Sequence, residues 1–366
     1  MRTKQLDRPF LVIVAILILA GFFLFSSASL GLLTREGIRF SSIMFNQIVF
    51  GLLFGLIAMF FTSRIHYLNY RKYAFYIFLA SLVLTSLVFV PFLGFEHGGA
   101  KRWIELGGMT FQPAEFLKLG FIIYLAAWLA SIKKMVSTLK LGFLPIIGML
   151  AITGIILLLQ PDMGTFLVIS IIAMTMYFIA GAKWNHFLSL GLLGVAGLST
   201  VAFLKPYLWQ RITTFLHPNI DVLGAGYQIK QSLIAIGSGQ IFGRGFGKSI
   251  QKFNYLPEPI GDSIFAVTAE EWGFVGCVLL ISLFLVFAYR GLHISAKSDS
   301  DFGRLLVVGI VILIVSQSFM NMASMLGIFP LTGDPLLFVS QGGTALMFTL
   351  LEVGIILNVS KYMKRI

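Results

Sequence analysis

What this chain has least of is charge. Only 11% of its 366 residues are Asp, Glu, Lys or Arg, where a soluble globular protein carries about a quarter. With 58% hydrophobic residues and a mean hydropathy of +0.92, that deficit excludes the two or three soluble domains the length would otherwise suggest. Cysteine is nearly missing. Cys277 stands alone in an apolar run, so no intramolecular disulfide can form and the thiol reads as a packing group. Zinc spacings of Cys and His are absent, and His66, His97, His186, His217 and His293 are scattered. The run Gly243-Arg244-Gly245-Phe246-Gly247 has neither the preceding strand nor the spacing of a nucleotide loop. No internal repeat, low-complexity tract or hydrophilic domain breaks the sequence, and residues 1–366 are expected to form one membrane domain.

What remains is apolar run after apolar run. A membrane span needs about 20 mostly apolar residues, and ten stretches qualify: Pro9–Leu32, Ser42–Thr62, Tyr73–Leu93, Pro113–Ser131, Gly142–Leu159, Met163–Ala180, His186–Leu204, Ser263–Tyr289, Leu305–Gly327 and Leu337–Val359. Each is expected to be a helix, because nothing else here satisfies its backbone in lipid. The expected fold is therefore an all-α polytopic bundle of about ten transmembrane helices. The first run, Phe10–Phe25, is longer than a signal-peptide core and reads as a retained span.

The net charge of +12 raises nucleic-acid binding in a soluble protein; here the placement of the cations decides. Sixteen Lys and Arg fall in the N-terminus, Ser63–Lys72, Ile132–Leu141, Gly181–Asn185, Arg290–Arg304 and the C-terminus; ten fall in the alternate loops. The positive-inside rule then places both termini in the cytoplasm, with no nucleic-acid role. Outside lie Gly94–Phe111, Ile328–Leu336 and the long loop Lys205–Gly261 between the seventh and eighth spans. That loop is too long for a connector, and Ile229, Leu233, Ile234 and Ile236 suggest short interfacial helices within it.

Charges at membrane depth need a reason. Glu115 and Lys118 are one helical turn apart and suited to pair, as a structural bridge or to orient a substrate. Asp162, after Gln160-Pro161, is an N-cap or a functional carboxylate. Asp262, at the seam between the long loop and the eighth span, is again a cap or, desolvated yet reachable from outside, a general base. Glu270 and Glu271 follow two turns on, and Glu352 has no evident partner. Lys101, Arg102, Arg211, Lys230, Arg244 and Lys248 place cations on the outer side, for lipid headgroups or for an anionic lipid such as a polyprenyl diphosphate.

Taken in order, these motifs resemble a family. Gly99-Ala100-Lys101-Arg102-Trp103, Phe111-Gln112-Pro113-Ala114-Glu115, Gln160-Pro161-Asp162-Met163-Gly164-Thr165, Leu223-Gly224-Ala225-Gly226-Tyr227-Gln228, Ala235-Ile236-Gly237-Ser238-Gly239, Leu256-Pro257-Glu258 with Asp262, and Pro330, Gly333, Pro335, Ser340 with Gly342-Gly343 are similar to those of the SEDS proteins, FtsW and RodA, glycosyltransferases of bacterial peptidoglycan. The resemblance implies a lipid II polymerase on the outer face of the cytoplasmic membrane, in cell division or shape maintenance, acting on lipid II and undecaprenyl-diphosphate-linked glycan beside a class B penicillin-binding protein. It puts the catalytic base on Asp262, forming a β-1,4 bond with inversion, which needs one base on the attacking side. Lys101, Arg102 and Arg211 are candidates for the diphosphate, helped by a divalent cation (Mg or Mn) if one is used. Glu115 and Lys118 take the family's paired positions in substrate binding, while Asp162, Glu258, Ser263 and Ser340 are supporting. Gln251–Pro259 is more like FtsW than RodA. Gly261-Asp262-Ser263 departs from the family's Thr-Asp-Phe, and Ser340-Gln341-Gly342-Gly343 from Ser-Tyr-Gly-Gly.

Two readings from other classes stay open on the residues alone. A flippase moving lipid II without chemistry explains the spans and cations and gives Asp262 no special role. A secondary transporter fits poorly, because no repeat and no paired Gly/Pro-broken midplane spans are seen.

Overall fold

The computed structural model describes residues 6–34, 37–97, 100–106, 109–217 and 224–364; Gly99 and Leu223 of the motifs lie outside them. In chain order come α1 (Arg8–Ser29), α2 (Gly37–Asn46), α3 (Phe54–Arg64), α4 (Leu68–Lys72), α5 (Ala74–Ser86), strands β1 (Gly94–His97), β2 (Ala100–Leu106) and β3 (Met109–Phe111), then α6 (Pro113–Ile132), α7 (Leu144–Leu159), α8 (Met163–Ile179), α9 (Trp184–Leu204), α10 (Pro206–Leu216), α11 (Ala225–Ser238), α12 (Ile264–Ala296), α13 (Asp301–Met325) and α14 (Gly343–Ser360). Each of the ten expected spans falls on a helix. Among the described residues eight helical stretches are long and apolar enough to cross a bilayer, and Ala74–Phe89 and Met163–Ile179 are apolar but shorter. The chain is a multi-pass membrane protein.

Local sequence explains where helices start. Asp7 caps α1 by accepting from the Phe10 amide at 2.9 Å, and Pro9, Pro113, Pro145 and Pro206 sit in first turns, where a missing N–H costs nothing. Three helices, α6, α13 and α14, form the buried centre; α9 has only 12% of its most apolar stretch covered, against 78% for α13. Lipid-facing helices stay hydrophobic all round, so burial rather than amphipathicity separates centre from periphery.

The alternate loops collect at opposite ends. At one end Arg290 pairs with Asp7 at 2.7 Å, the Tyr67 amide donates to Asn358, Tyr177 donates to the Val136 carbonyl and Arg304 donates to the Ile179 carbonyl. At the other, Arg102 reaches the Gln160 carbonyl and Arg211 that of Thr332.

Three features differ from expectation. Gly94–Phe111, expected as a loop, carries an antiparallel sheet of order β1-β2-β3. The segment ahead of α14 is not helical at Leu337–Gly342 but turns within the protein, with Leu337, Phe338, Val339 and Ser340 buried. And α12 is interrupted at Gly273, whose φ of 65° and ψ of −164° belong to a region reserved for glycine. The long loop fills that break: the Arg244 and Gly245 amides donate to the Glu270 and Glu271 carbonyls, and Phe274 and Val275 donate to Gln240 and Ile241. Irregular backbone at membrane depth survives where protein satisfies it. The short helices expected in that loop are α10 and α11.

Candidate active site

At the end that carries the sheet, a cavity of about 770 Å³ opens between α2, the sheet, α10 and the segments ahead of α12 and α14. Its wall is mixed. Ile43, Phe50, Phe95 and Met347 supply apolar lining, and Arg102, Arg211, Glu258 and Asp262 supply the charged part. A cavity of this size, apolar with a few convergent polar groups, is the form a ligand site takes.

Asp262 is not a helix cap. The residue preceding α12 is Ser263, and neither side chain caps the helix. The peptide of Asp262 is held from several sides. Asn321 Nδ2 donates to its carbonyl at 2.9 Å, Ser340 Oγ donates to the Gly261 carbonyl at 2.8 Å, and the Gln341 amide donates to that of Ile260 at 2.7 Å. Gln47 in turn clamps residues 340–342 through Ser340 O and the Gly342 amide. Among the described residues nothing donates to the Asp262 carboxylate. Burial, and then the negative charge of Glu258, push its pKa up to about 6 against the pull of Arg102 and Arg211. A carboxylate tuned toward neutrality and left without donors is suited to taking a proton.

The cations face it across a gap. A Cβ placed on Gly333 would lie 3.7 Å from Asp262 Oδ2, 3.9 Å from Arg102 Nη1 and 3.9 Å from Arg211 Nη2, yet neither guanidinium comes within 4 Å as an ion pair with that carboxylate. Gly333 has φ of 76°, and its missing side chain leaves the gap open. Arg102 is anchored on the α7–α8 hairpin: it donates to the Gln160 and Pro161 carbonyls and lies 3.8 Å from Asp162. Asp162 itself caps α8, accepting from the Thr165 amide and hydroxyl. Burial and the neighbouring Arg102 charge lower the pKa of Arg211.

Not every expected site residue lines the cavity. Lys101 is exposed on β2, facing away from Arg102 as neighbours in a strand do. Glu115 and Lys118 are buried: Lys118 Nζ binds Glu115 at 2.8 Å and Gln317 at 2.7 Å, and Gln317 holds the Pro335 carbonyl. Neither lines the cavity, and through Gln317 they are joined to the Pro335 backbone that does. Glu352 is buried within electrostatic reach of the same pair. Ser263, one of the departures from the family pattern, is buried and accepts from Gln228 at 3.0 Å. Arg244 pairs with Glu270 at 3.5 Å, and Lys230 and Lys248 are exposed.

Sequence reasoning missed Asn321, Gln317, Gln47 and Asp334. Asp334 is buried, with Oδ2 unpartnered among the described residues, and burial with the nearby Asp162 charge raises its pKa to about 8. Only polarity inside otherwise apolar runs could have flagged Asn321, Gln317 and Gln47, and Asp334 stands in an outer segment with no such signal.

Among the described residues no group of three or more His, Cys, Asp or Glu is arranged to hold a metal. Two carboxylates facing two guanidiniums do not make a divalent-cation cage.

The model of the cell cycle protein family of FtsW, RodA and SpoVE matches residues 7–365. The chain belongs to this family. It is 40% identical over 308 residues to the stage V sporulation protein E of Bacillus subtilis, 84% of each chain, and 36% identical to a probable peptidoglycan glycosyltransferase FtsW of Geobacter sulfurreducens, covering 100% of this chain and 98% of the relative. In fold, this family member is similar to a chain of a peptidoglycan synthase complex that coordinates polymerization and crosslinking, with a TM-score of 0.79, 29% identity and 97% of each chain covered. It is also similar to the rod shape determining protein RodA of Thermus thermophilus, with a TM-score of 0.70, 27% identity and 98% of each chain covered.

Proposed function

We propose that this chain is a peptidoglycan glycosyltransferase that polymerises lipid II, with Asp262 as the base. The observation that carries the reading is a donor-free carboxylate facing two guanidiniums across a gap kept open by Gly333. An acceptor hydroxyl entering that gap gives its proton to Asp262. Its oxygen forms a bond to the anomeric carbon of the lipid-linked donor, and the carbon–phosphate oxygen bond breaks with its electron pair on the diphosphate. Attack and departure on opposite faces invert the centre, giving a β linkage from an α-linked donor. Arg102 and Arg211 bind the diphosphate and stabilise its developing charge, and Arg suits phosphate through its planar donor fork. The apolar side of the cavity accepts the start of a prenyl chain.

The charge asymmetry of the loops supports cytoplasmic termini and an outward-facing cavity. The likeness to a chain of a peptidoglycan synthase complex supports a class B penicillin-binding protein as partner. Full-length protein supplied with lipid II in detergent, where sidedness is lost, tests the activity. Glycan strands resolved by gel electrophoresis are the expected result; lipid II recovered unchanged, with and without that partner, contradicts it and returns the chain to transport.

A further inference from the structure

Asp262 has a cavity on each side of it. Besides the large one, a chamber of about 190 Å³ is bounded by Asp262, Arg211, Gln228, Asn321, Ser324 and Gly333, with Met325 and Leu331 as its apolar part. Asp262, Arg211 and Gly333 belong to both walls. Arg102 and the apolar lining of the large cavity do not extend into it.

The polar atoms of this chamber have a common bias. Asn321 commits Nδ2 to the Asp262 and Asp334 carbonyls, each at 2.9 Å. That fixes the orientation of its amide and leaves Oδ1 buried without a partner among the described residues. Gln228 commits Nε2 to Ser263, leaving its Oε1. Ser324 commits its hydroxyl proton to the Asn321 carbonyl at 2.8 Å, leaving its lone pairs. Three side chains from two helices therefore offer acceptor oxygens, with every hydrogen of the Asn321 amide and the Ser324 hydroxyl engaged elsewhere, and buried acceptors of this kind are retained where something donates to them. The complement is a neutral group rich in O–H and N–H. An anion meets these oxygens and Asp262; a metal cation meets Arg211. The space matches one substituted six-membered ring, since a cavity of about 150 Å³ takes benzene.

We infer that this chamber is the subsite for the terminal N-acetylated sugar of the acceptor, an inference that rests on the polymerase reading. The sugar that donates its anomeric carbon carries a diphosphate and belongs beside Arg102 in the large cavity. The terminal sugar of the acceptor carries no phosphate and is linked at one position only, so a side chamber accommodates it. From there its free hydroxyl reaches Asp262 in the shared wall. Asn321 and Gln228 accept from its hydroxyl and amide hydrogens, Arg211 donates to its acetyl oxygen, and Met325 and Leu331 face the methyl.

The test uses the full-length chain with its transpeptidase partner in detergent, preformed lipid-linked glycan as donor and lipid II as acceptor. The variants are Gln228→Leu, which removes an acceptor, and Ser324→Leu, which fills the chamber. Both are expected to raise the KM for acceptor at least tenfold with the donor KM changed less than threefold. Wild type is expected to prefer lipid II at least tenfold over an analogue lacking the terminal N-acetyl group, a preference both variants lose. Gln228→Asn, which withdraws the oxygen without adding bulk, repeats the measurement if either leucine variant melts more than a few degrees early. Unchanged acceptor KM and retained preference mean that the chamber holds only water, and overturn the inference. A rise confined to the donor KM also overturns it, placing the donor sugar there. A wild type that makes no glycan overturns the polymerase reading itself, an outcome separate from either.

Discussion

Two acidic sites lie within ten residues of each other, and they are built to opposite specifications. Glu270 and Glu271 are wrapped. Glu270 accepts from Ser249 Oγ at 2.6 Å and from the Ile250 and Gln251 amides. Glu271 pairs with fully buried Lys252 at 2.7 Å and accepts from Ser27 Oγ. This clasp ties α1, the long loop and the break at Gly273 together. Among the described residues, Asp262 has its backbone held from three directions and its carboxylate held from none. The difference separates a charge that fastens a fold from one kept available for chemistry: the first is satisfied at every oxygen, the second is fixed in position and left reactive.

The comparison breaks most sharply under substitution. Asp262→Asn is expected to lower glycan synthesis by 10²- to 10⁴-fold, the range of a lost general base, while raising thermal stability. The sign follows from the raised pKa. Ionised Asp262 is disfavoured in the folded state, so its cost is absent below about pH 4, grows through about 6 and is complete above that. Melting curves should show the Asn variant ahead of wild type by roughly 2–3 kcal/mol at pH 8 and level with it near pH 4. Glu271→Gln should do the reverse. Stranding the buried Lys252 charge costs about 3–5 kcal/mol, read as a lower melting temperature, while the folded fraction keeps most of its specific activity.

Gly333→Ala is next. The methyl enters the gap between carboxylate and guanidiniums and the backbone is strained by about 1–3 kcal/mol, so a fall of roughly 10- to 100-fold in kcat/KM is expected, checked by steady-state kinetics. The smallest effect belongs to Ser340→Ala, which releases the Gly261 carbonyl and the Leu336 amide. At about 1 kcal/mol for a hydrogen bond, a several-fold loss of kcat is expected with the KM for lipid II nearly unchanged.

Much of this is legible in the sequence. The apolar runs marked helices because backbone in lipid has few alternatives, and eight of the helical stretches among the described residues are long and apolar enough to span a bilayer. Asp262, Arg102 and Arg211 stood out as charges at the membrane edge, and they meet. The sheet at Gly94–Phe111 was hidden because its strands are short and do not alternate cleanly. With it was hidden the outward turn of Lys101, which strand alternation would have revealed. Asn321, Gln317 and Asp334 come from helix α13 and the turns after it, and their partners are distant in sequence, so no local pattern points to them. Gly273 was silent because a glycine in an apolar run reads equally well as helix packing. The pair Lys252–Glu271 went unseen, since its partners lie 19 residues apart across an irregular loop.

The pH dependence of kcat/KM for lipid II polymerisation, measured from pH 4.5 to 9, tests the role of Asp262 most directly. A single rise with its midpoint near 6 and a plateau above it is expected, with Glu258→Gln moving that midpoint down because it removes a charge that holds it up. A flat profile across that range, or a midpoint that ignores Glu258, would contradict a base at Asp262.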